Sequence, residues 1–259
     1  MSPKDKDATT PRVYLLRHGA TSWSQSGQYT GLTDLPLLPA GESAVRSTAS
    51  HVFGPGLLID PGNLARIYVS PRERARRTLQ ILFESAGSEG SLPANADAGA
   101  GEVGSGTVDV RVTEDMAEWG YGDYEGLLTG QIRELRASRG LDRERPWDIW
   151  VDGTEGEGSE TPGMVMERVD RVIGEITALQ GDYLRDVKDG KLEEGRRRDV
   201  LVVAHGHILR AFVRRWLECD MDVKMEMMLE PGGVAGLSYA HGRVEERAVL
   251  VGMSFPGRE

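Results

Sequence analysis

Cysteine is almost missing from this 259-residue chain. Cys219 stands alone, which excludes an intrachain disulfide and leaves it no second thiol for a metal site, so it is read as structural. Long apolar runs are missing too: no stretch approaches the roughly 18 residues that cross a bilayer, and no membrane is expected as a partner. Met1 to Thr10 is polar and charged and lacks the apolar core of a secretory signal, so a cytoplasmic location, with the nucleus also open, is the expectation. Positive charge is in the minority, 31 Lys and Arg against 41 Asp and Glu, for a formal net charge of −10. That balance argues against nonspecific binding to nucleic acid, though not against an anionic small molecule, because local arginines govern a closed pocket. No carboxylate cluster with metal-binding spacing stands beside the arginines, and neither metal nor cofactor is expected. The length, with 39% hydrophobic residues, suffices for one core. A single domain over 1–259 is expected, with a polar tail at 1–10 and a flexible insertion at about 85–107, where Gly, Ala, Ser and acidic residues run without hydrophobic periodicity.

What the chain does hold begins with VYLLRHG, Val13 to Gly19. The apolar run reads as a buried strand ending in Arg17, His18 and Gly19. An imidazole with an ordinary pKa of about 6.5 is largely unprotonated at neutral pH and can attack a phosphoryl group, while an adjacent guanidinium grips its oxygens bidentately. A surface Arg-His pair at a strand exit is the plainer alternative. A loop rich in Ser, Thr, Gly and Pro then runs to about Glu42, and its Ser24, Tyr29, Thr30 and Gly31 are candidates to hydrogen-bond phosphate or sugar oxygens. Glu42 to Phe53 is helix-like, with His51 structural in its last turn and Gly54-Pro55-Gly56 as the stop.

Arg66 to Val69 reads as a second strand. After it, Ser70 suits a helix N-cap and Pro71 the first helical position, with Arg72, Arg74, Arg76 and Arg77 crowding the opening turns. Cations there oppose the helix dipole. A bound phosphate resolves that conflict, while at least two of the four are expected to pair with nearby acids. Val108 to Val112 is a third strand. In MAEWGYGDYEG, Glu118 stands among Trp119, Tyr121 and Tyr124, and aromatic surroundings that disfavour a charged carboxyl suit a proton donor. Leu127 to Arg139 reads as an exposed helix, ERPWDIWVDG as a segment that packs on the domain or covers the pocket, and Thr161-Pro162-Gly163 as the start of a long helix to about Leu184, with charged turns from Asp186 to Arg198. Val200 to Ala204 again ends in a His-Gly pair, His205-Gly206. Ligands in open parallel sheets sit beyond the carboxyl ends of the strands, so the two histidines are placed to meet. His207 enters the helix Ile208 to Glu218 and is read as structural or supporting. His241 lies in a hairpin turn between strands at 234–240 and 244–253 and is given no role.

In order and approximate spacing, RHG followed by Thr, YTGLTDLPL, SPRERARRT, EWGYGDYEG and AHGH resemble the histidine phosphatase superfamily over nearly the whole chain. The resemblance implies an α/β, three-layer phosphoglycerate mutase-like fold, its central sheet mostly parallel with helices on both faces. It implies that His18 is the phosphorylated histidine, that Arg17 and Arg74 bind the phosphoryl group, that Glu118 is the proton donor and that His205 is the second phosphate-pocket histidine. Arg74, rather than Arg72, precedes Ala75 in the SxxxRAxxT pattern. More narrowly, WSQSGQYTGLTDLPL, the stretch from EWGYGDYEG to DIW, and AHGHILR look like the fungal sedoheptulose-1,7-bisphosphatase group. That likeness implies metal-independent hydrolysis of the C1 phosphate of sedoheptulose 1,7-bisphosphate, with fructose 1,6-bisphosphate as a lesser substrate, feeding ribose phosphate synthesis. Ser24, Tyr29, Thr30, Tyr121 and Gly206 are then the candidate substrate-binding residues.

Ser24 stands where many superfamily members have Asn, and the sedoheptulose group resembles this chain there, so the change bears on specificity. Leu38 replaces a frequent Thr and removes a helix cap worth about 1 kcal/mol. An insertion of the sedoheptulose group is shortened near Glu230 to Gly233, which bears on substrate preference. The alternatives are a phosphatase for another small phosphoester, a phosphoglycerate mutase, against which EWGYG in place of an ERHYG-type stretch argues, and an inert phospho-ligand-binding scaffold. A phosphorylated sugar is the expected partner, and a homodimer is left open.

Overall fold

The computed structural model describes residues 10–86 and 108–251. The tail before Thr10, the expected insertion from residue 87 on and the end of the last expected strand lie outside the described residues. In chain order the helices are α1 (Ser22–Ser26), α2 (Pro39–Val52), α3 (Glu73–Ser85), α4 (Thr129–Ser138), α5 (Ile149–Asp152), α6 (Pro162–Asp189) and α7 (Gly206–Trp216). The strands are β1 (Val13–Arg17), β2 (Leu64–Val69), β3 (Asp109–Val112), β4 (Asp199–Ala204), β5 (Val234–Tyr239) and β6 (Arg247–Leu250).

Strands β1, β2 and β4 are near-continuous apolar runs because both of their faces are covered. Alternation sends Val13, Leu15, Val200 and Val202 to one face, where α6 and α7 pack, and Tyr14, Leu16, Leu201 and Val203 to the other, where α2 and α3 pack. The result is the three-layer α/β architecture expected. The sheet order is β3-β2-β4-β1-β5-β6. The first four strands are parallel, and β5 and β6 add an antiparallel edge. Arg17 lies opposite Ala204 and Val69 opposite Val203, so β1, β4 and β2 finish at one level. His18, His205 and Ser70 are the next residues along. Among the described residues no helix is long and apolar enough to cross a membrane.

Several boundaries differ from the sequence expectations, each for a local reason. The loop after Gly19 contains α1, closed by a reciprocal Thr21–Ser24 capping box and by Gly27 in the left-handed region. Helix α2 starts at Pro39, and its N-cap, Leu38, makes no side-chain bond. Helix α3 starts at Glu73 rather than after Ser70, because the Asp34 carboxylate receives Glu73 N–H at 2.9 Å. The anion that answers the helix dipole there is therefore a side chain of the chain itself. Arg72 pairs with Glu114 and Arg77 with Glu42 and Glu84, which meets the expectation that two of the four arginines face acids. Ser85 belongs to α3, α6 runs past Leu184 to Asp189 before Gly190 stops it, and a turn at Ala240–Gly242 delays β6 to Arg247.

Candidate active site

The carboxyl ends of β1 and β4 bring His18 and His205 together, ring centroids 5.0 Å apart and edge to face. His18 is 5% exposed. Its Nδ1 lies 2.7 Å from the Gly19 carbonyl oxygen, which can only accept, so Nδ1 carries the proton and Nε2 of the neutral ring holds a lone pair. Burial, with Arg74 and Arg17 adding positive charge nearby, pushes the His18 pKa down to about 3. The ring is thus held neutral and in one tautomer. Gly19 lets α2 come close: a Cβ there would sit 2.9 Å from a Val45 methyl and 3.0 Å from the Gly41 carbonyl oxygen. Its amide also donates to Thr78 Oγ1, anchoring the histidine loop to α3.

Arg17 Nη1 donates to the Leu229 carbonyl at 2.8 Å. Its Nε is buried and has no hydrogen-bond partner among the described residues. A buried guanidinium N–H left without an acceptor is costly unless something supplies one. The Arg17 guanidinium packs over Gly206, leaving room for a Cβ only at van der Waals contact, 3.4 Å from the guanidinium carbon. Gly232 N–H donates to the carbonyls of both Arg17 and His18, so the stretch at 230–233 braces the histidine loop directly.

Glu118 is brought in by the irregular segment after β3. Its carboxylate accepts from the backbone N–H of Trp119 at 2.9 Å and, at the start of α7, from His207 at 3.0 Å and Ile208 at 2.9 Å. Backbone amides, rather than the aromatic faces expected from sequence, are the groups that meet its oxygens. The aromatics form the adjoining wall: Tyr121 bonds His207 Nδ1 at 2.8 Å, Tyr29 stacks on the His207 ring, and Trp150 and Trp147 back these two rings. Burial pushes Tyr121 well above its ordinary range, with the Glu118 charge adding to it, and burial with Arg210 and Arg17 holds His207 well below its own, so both stay neutral.

A cavity of about 270 Å³ opens between these groups. Arg17, His18 and Glu118 line it, as do the five expected contact residues Ser24, Tyr29, Thr30, Tyr121 and Gly206. Arg74 and His205 are brought beside His18 but do not line the cavity. Arg74 is fully buried, with Nη1 and Nη2 on the carbonyls of Thr33, Thr30 and Gly31 and Nε donating to His205 Nδ1 at 3.1 Å. His205 Nε2 then carries the proton and donates to Ser70 Oγ at 2.7 Å. The sequence reading missed Ser70, taken as a helix cap; a polar residue at the end of a third parallel strand was the signal that pointed to it. It also missed Arg210 and the direct presence of His207 in the cavity wall.

A histidine nitrogen with a lone pair, a guanidinium with an unused N–H and a carboxylate facing one cavity can take a phosphoryl group from an ester, hold its charge and handle the leaving group's proton. This, on a phosphoglycerate mutase-like fold, defines a phosphoryl-handling enzyme. The family model of the histidine phosphatase superfamily (branch 1) matches residues 13–250. The chain is 37% identical to sedoheptulose 1,7-bisphosphatase of Saccharomyces cerevisiae, over 93% of this chain and 92% of the relative, and 30% identical to an acid phosphatase of Mycobacterium tuberculosis, over 92% and 91%. A solved open reading frame product of M. tuberculosis superposes with a TM-score of 0.61 at 27% identity, covering 93% of this chain and 96% of that one. The chain belongs to the histidine phosphatase superfamily and is a phosphoric monoester hydrolase.

Proposed function

We propose that this enzyme hydrolyses the C1 phosphate of sedoheptulose 1,7-bisphosphate, and more slowly that of fructose 1,6-bisphosphate, through a phosphohistidine on His18, feeding ribose phosphate synthesis. The observation that carries the chemistry is the neutral His18 ring with its proton fixed on Nδ1 by Gly19, beside the unused Nε–H of Arg17. Nε2 attacks phosphorus in line, forming the P–N bond as the bond to the sugar oxygen breaks, and Glu118 delivers its proton to that oxygen. Water then attacks phosphorus, returns a proton to Glu118 and breaks the P–N bond, releasing inorganic phosphate and neutral His18. Arg17 neutralises the equatorial oxygens directly. Arg74 and His205 act from behind His18, His205 by exchanging its Ser70 partner and Arg74 through the second Nη1 N–H, which faces Asp34 only at 3.7 Å, or by releasing a carbonyl. No metal takes part.

The sugar reading is supported by the 37% identity to a sedoheptulose bisphosphatase and by a cavity with two cationic side chains, Arg17 and Arg210, one for each phosphate of a bisphosphorylated sugar. Ser24, Tyr29, Thr30, Tyr121 and Gly206 contact the sugar between them. Phosphate release from sedoheptulose 1,7-bisphosphate, fructose 1,6-bisphosphate, fructose 2,6-bisphosphate and 3-phosphoglycerate, with His18→Ala as control, tests this. Preference for the sedoheptulose ester, lost in the variant, is the expected result. Preference for another ester removes the substrate assignment, and interconversion of phosphoglycerates without net release replaces hydrolysis with mutase chemistry.

A further inference from the structure

Residues Asp115 to Gly120 carry Glu118, yet they belong to neither a helix nor a strand beyond the short turn at Glu114–Met116. Something else must fix them. Arg168, on α6 and 7% exposed, reaches across to this segment. Its Nη1 donates to the carbonyls of Asp115 at 3.0 Å and Ala117 at 2.7 Å, and its Nη2 to the carbonyl of Glu118 itself at 3.3 Å. The same guanidinium forms a two-pronged pair with Glu160, Nε to Oε1 at 2.8 Å and Nη2 to Oε2 at 2.9 Å. Glu160 continues the brace: its Oε2 accepts from Gly120 N–H at 2.8 Å, and its carbonyl accepts from Trp119 Nε1 at 3.0 Å. Three consecutive residues, Glu118, Trp119 and Gly120, are therefore tied to Arg168 and Glu160, a pair whose arginine is buried and whose glutamate is partly so. On its other side the carboxylate is tied to α7.

From this we infer that Arg168, paired with Glu160, is a positioning residue for the proton-transfer step: it sets where the Glu118 carboxyl stands relative to the leaving oxygen. The inference rests on Glu118 being the proton donor. Neither Arg168 nor Glu160 lines the cavity, so neither touches substrate. A lysine at 168 has three donors on a flexible stem and cannot reproduce the planar fork that serves three carbonyls and a carboxylate together. A displacement of the acid by a fraction of an ångström slows only the step that needs it.

The readout is therefore the leaving group. A sugar alkoxide needs a proton to depart, while p-nitrophenolate does not. For Arg168→Lys and Glu160→Gln, the single-turnover rate of ester cleavage, the first step alone, is expected to fall about tenfold or more for the sugar bisphosphate, with its half-saturating concentration within twofold, and to stay nearly unchanged for p-nitrophenyl phosphate, reproducing in weaker form the pattern of Glu118→Gln. The water step, which uses Glu118 for both esters alike, does not enter this rate. Equal losses on both esters assign Arg168 a merely structural role and overturn the inference, as does an unchanged ratio of the two rates. Should Arg168→Lys fail to fold, the near-isosteric Glu160→Gln decides alone by the same ratio. If Glu118→Gln itself slows both esters equally, the reading of Glu118 fails and takes the inference with it. A selective Glu118→Gln with non-selective Arg168 and Glu160 variants refutes the inference only.

Discussion

Replacing Asp199 by Asn should make this protein more stable at neutral pH, although the side chain it alters is buried and hydrogen-bonded. Asp199 begins β4 and is 4% exposed. Its Oδ1 accepts from the Arg12 backbone N–H at 2.9 Å, and Arg198 approaches only to 3.8 Å. Burial outweighs these contacts and raises its pKa from 3.8 to about 6. A carboxyl that holds its proton more tightly when folded contributes stability that is fully present below about 3.8 and is lost as pH rises through about 6. At about 1.4 kcal/mol per pH unit of displacement, ionising Asp199 in the folded state costs roughly 3 kcal/mol at neutral pH. Asparagine keeps an oxygen for Arg12 and never ionises. Urea unfolding of both proteins at about pH 4.5 and about pH 7.5 should therefore show the variant's advantage growing by about 2 kcal/mol across that interval, at constant m-value. An advantage that stays flat or shrinks would mean that Asp199 is not held protonated by its burial, and the reasoning would be wrong.

Glu118→Gln should lower turnover of the sugar bisphosphate by about 10²- to 10⁴-fold with little change in KM, read in steady-state kinetics, because glutamine keeps one oxygen for the Trp119 and Ile208 amides but gives up the bond from His207 N–H and cannot deliver a proton. Long-range proton–nitrogen NMR should find His18 as the neutral Nδ1–H tautomer throughout the range from pH 6 to 8, in keeping with a pKa near 3; a transition centred near 6.5 would contradict the burial argument. Gly41→Ala should destabilise the fold by at least about 2 kcal/mol in denaturant unfolding, since its Cβ would stand 2.4 Å from the Ala20 carbonyl oxygen and push α2 away from the histidine loop.

Where the sequence was legible, the reason lies in burial. The three central strands are covered on both faces, so VYLLR, LARIYV and DVLVVA stand out as apolar runs, and the His-Gly pairs after two of them mark one end of the sheet. That Glu118, His18, Ser24, Tyr29, Thr30, Tyr121 and Gly206 come to line one cavity, with His205 beside it, was legible from the motifs after β1, β3 and β4 and from the family resemblance. What stayed hidden depends on partners far away in the chain. Arg74 reads as a free phosphate ligand until the carbonyls of Thr30, Gly31 and Thr33 are seen to take three of its five N–H groups. Ser70 reads as a helix cap until His205 arrives from residue 205 and Asp34 takes over the cap at Glu73. Helix α6 outran its expected end because its last turns are exposed and carry charges, which resemble a loop in composition. Arg168 was one arginine among many until the carbonyls of Asp115, Ala117 and Glu118 converged on it.

The covalent intermediate is the central claim, and rapid-quench trapping tests it most directly. The enzyme would be mixed with sugar bisphosphate, stopped in alkali within the first turnover, digested and mapped by mass spectrometry under non-acidic conditions. The account predicts a phosphoryl group on His18, stable to alkali and lost in acid, that forms before phosphate is released and is absent from His18→Ala. Release of phosphate with no protein-bound phosphoryl group at any time, or its appearance on a residue other than His18, would contradict it.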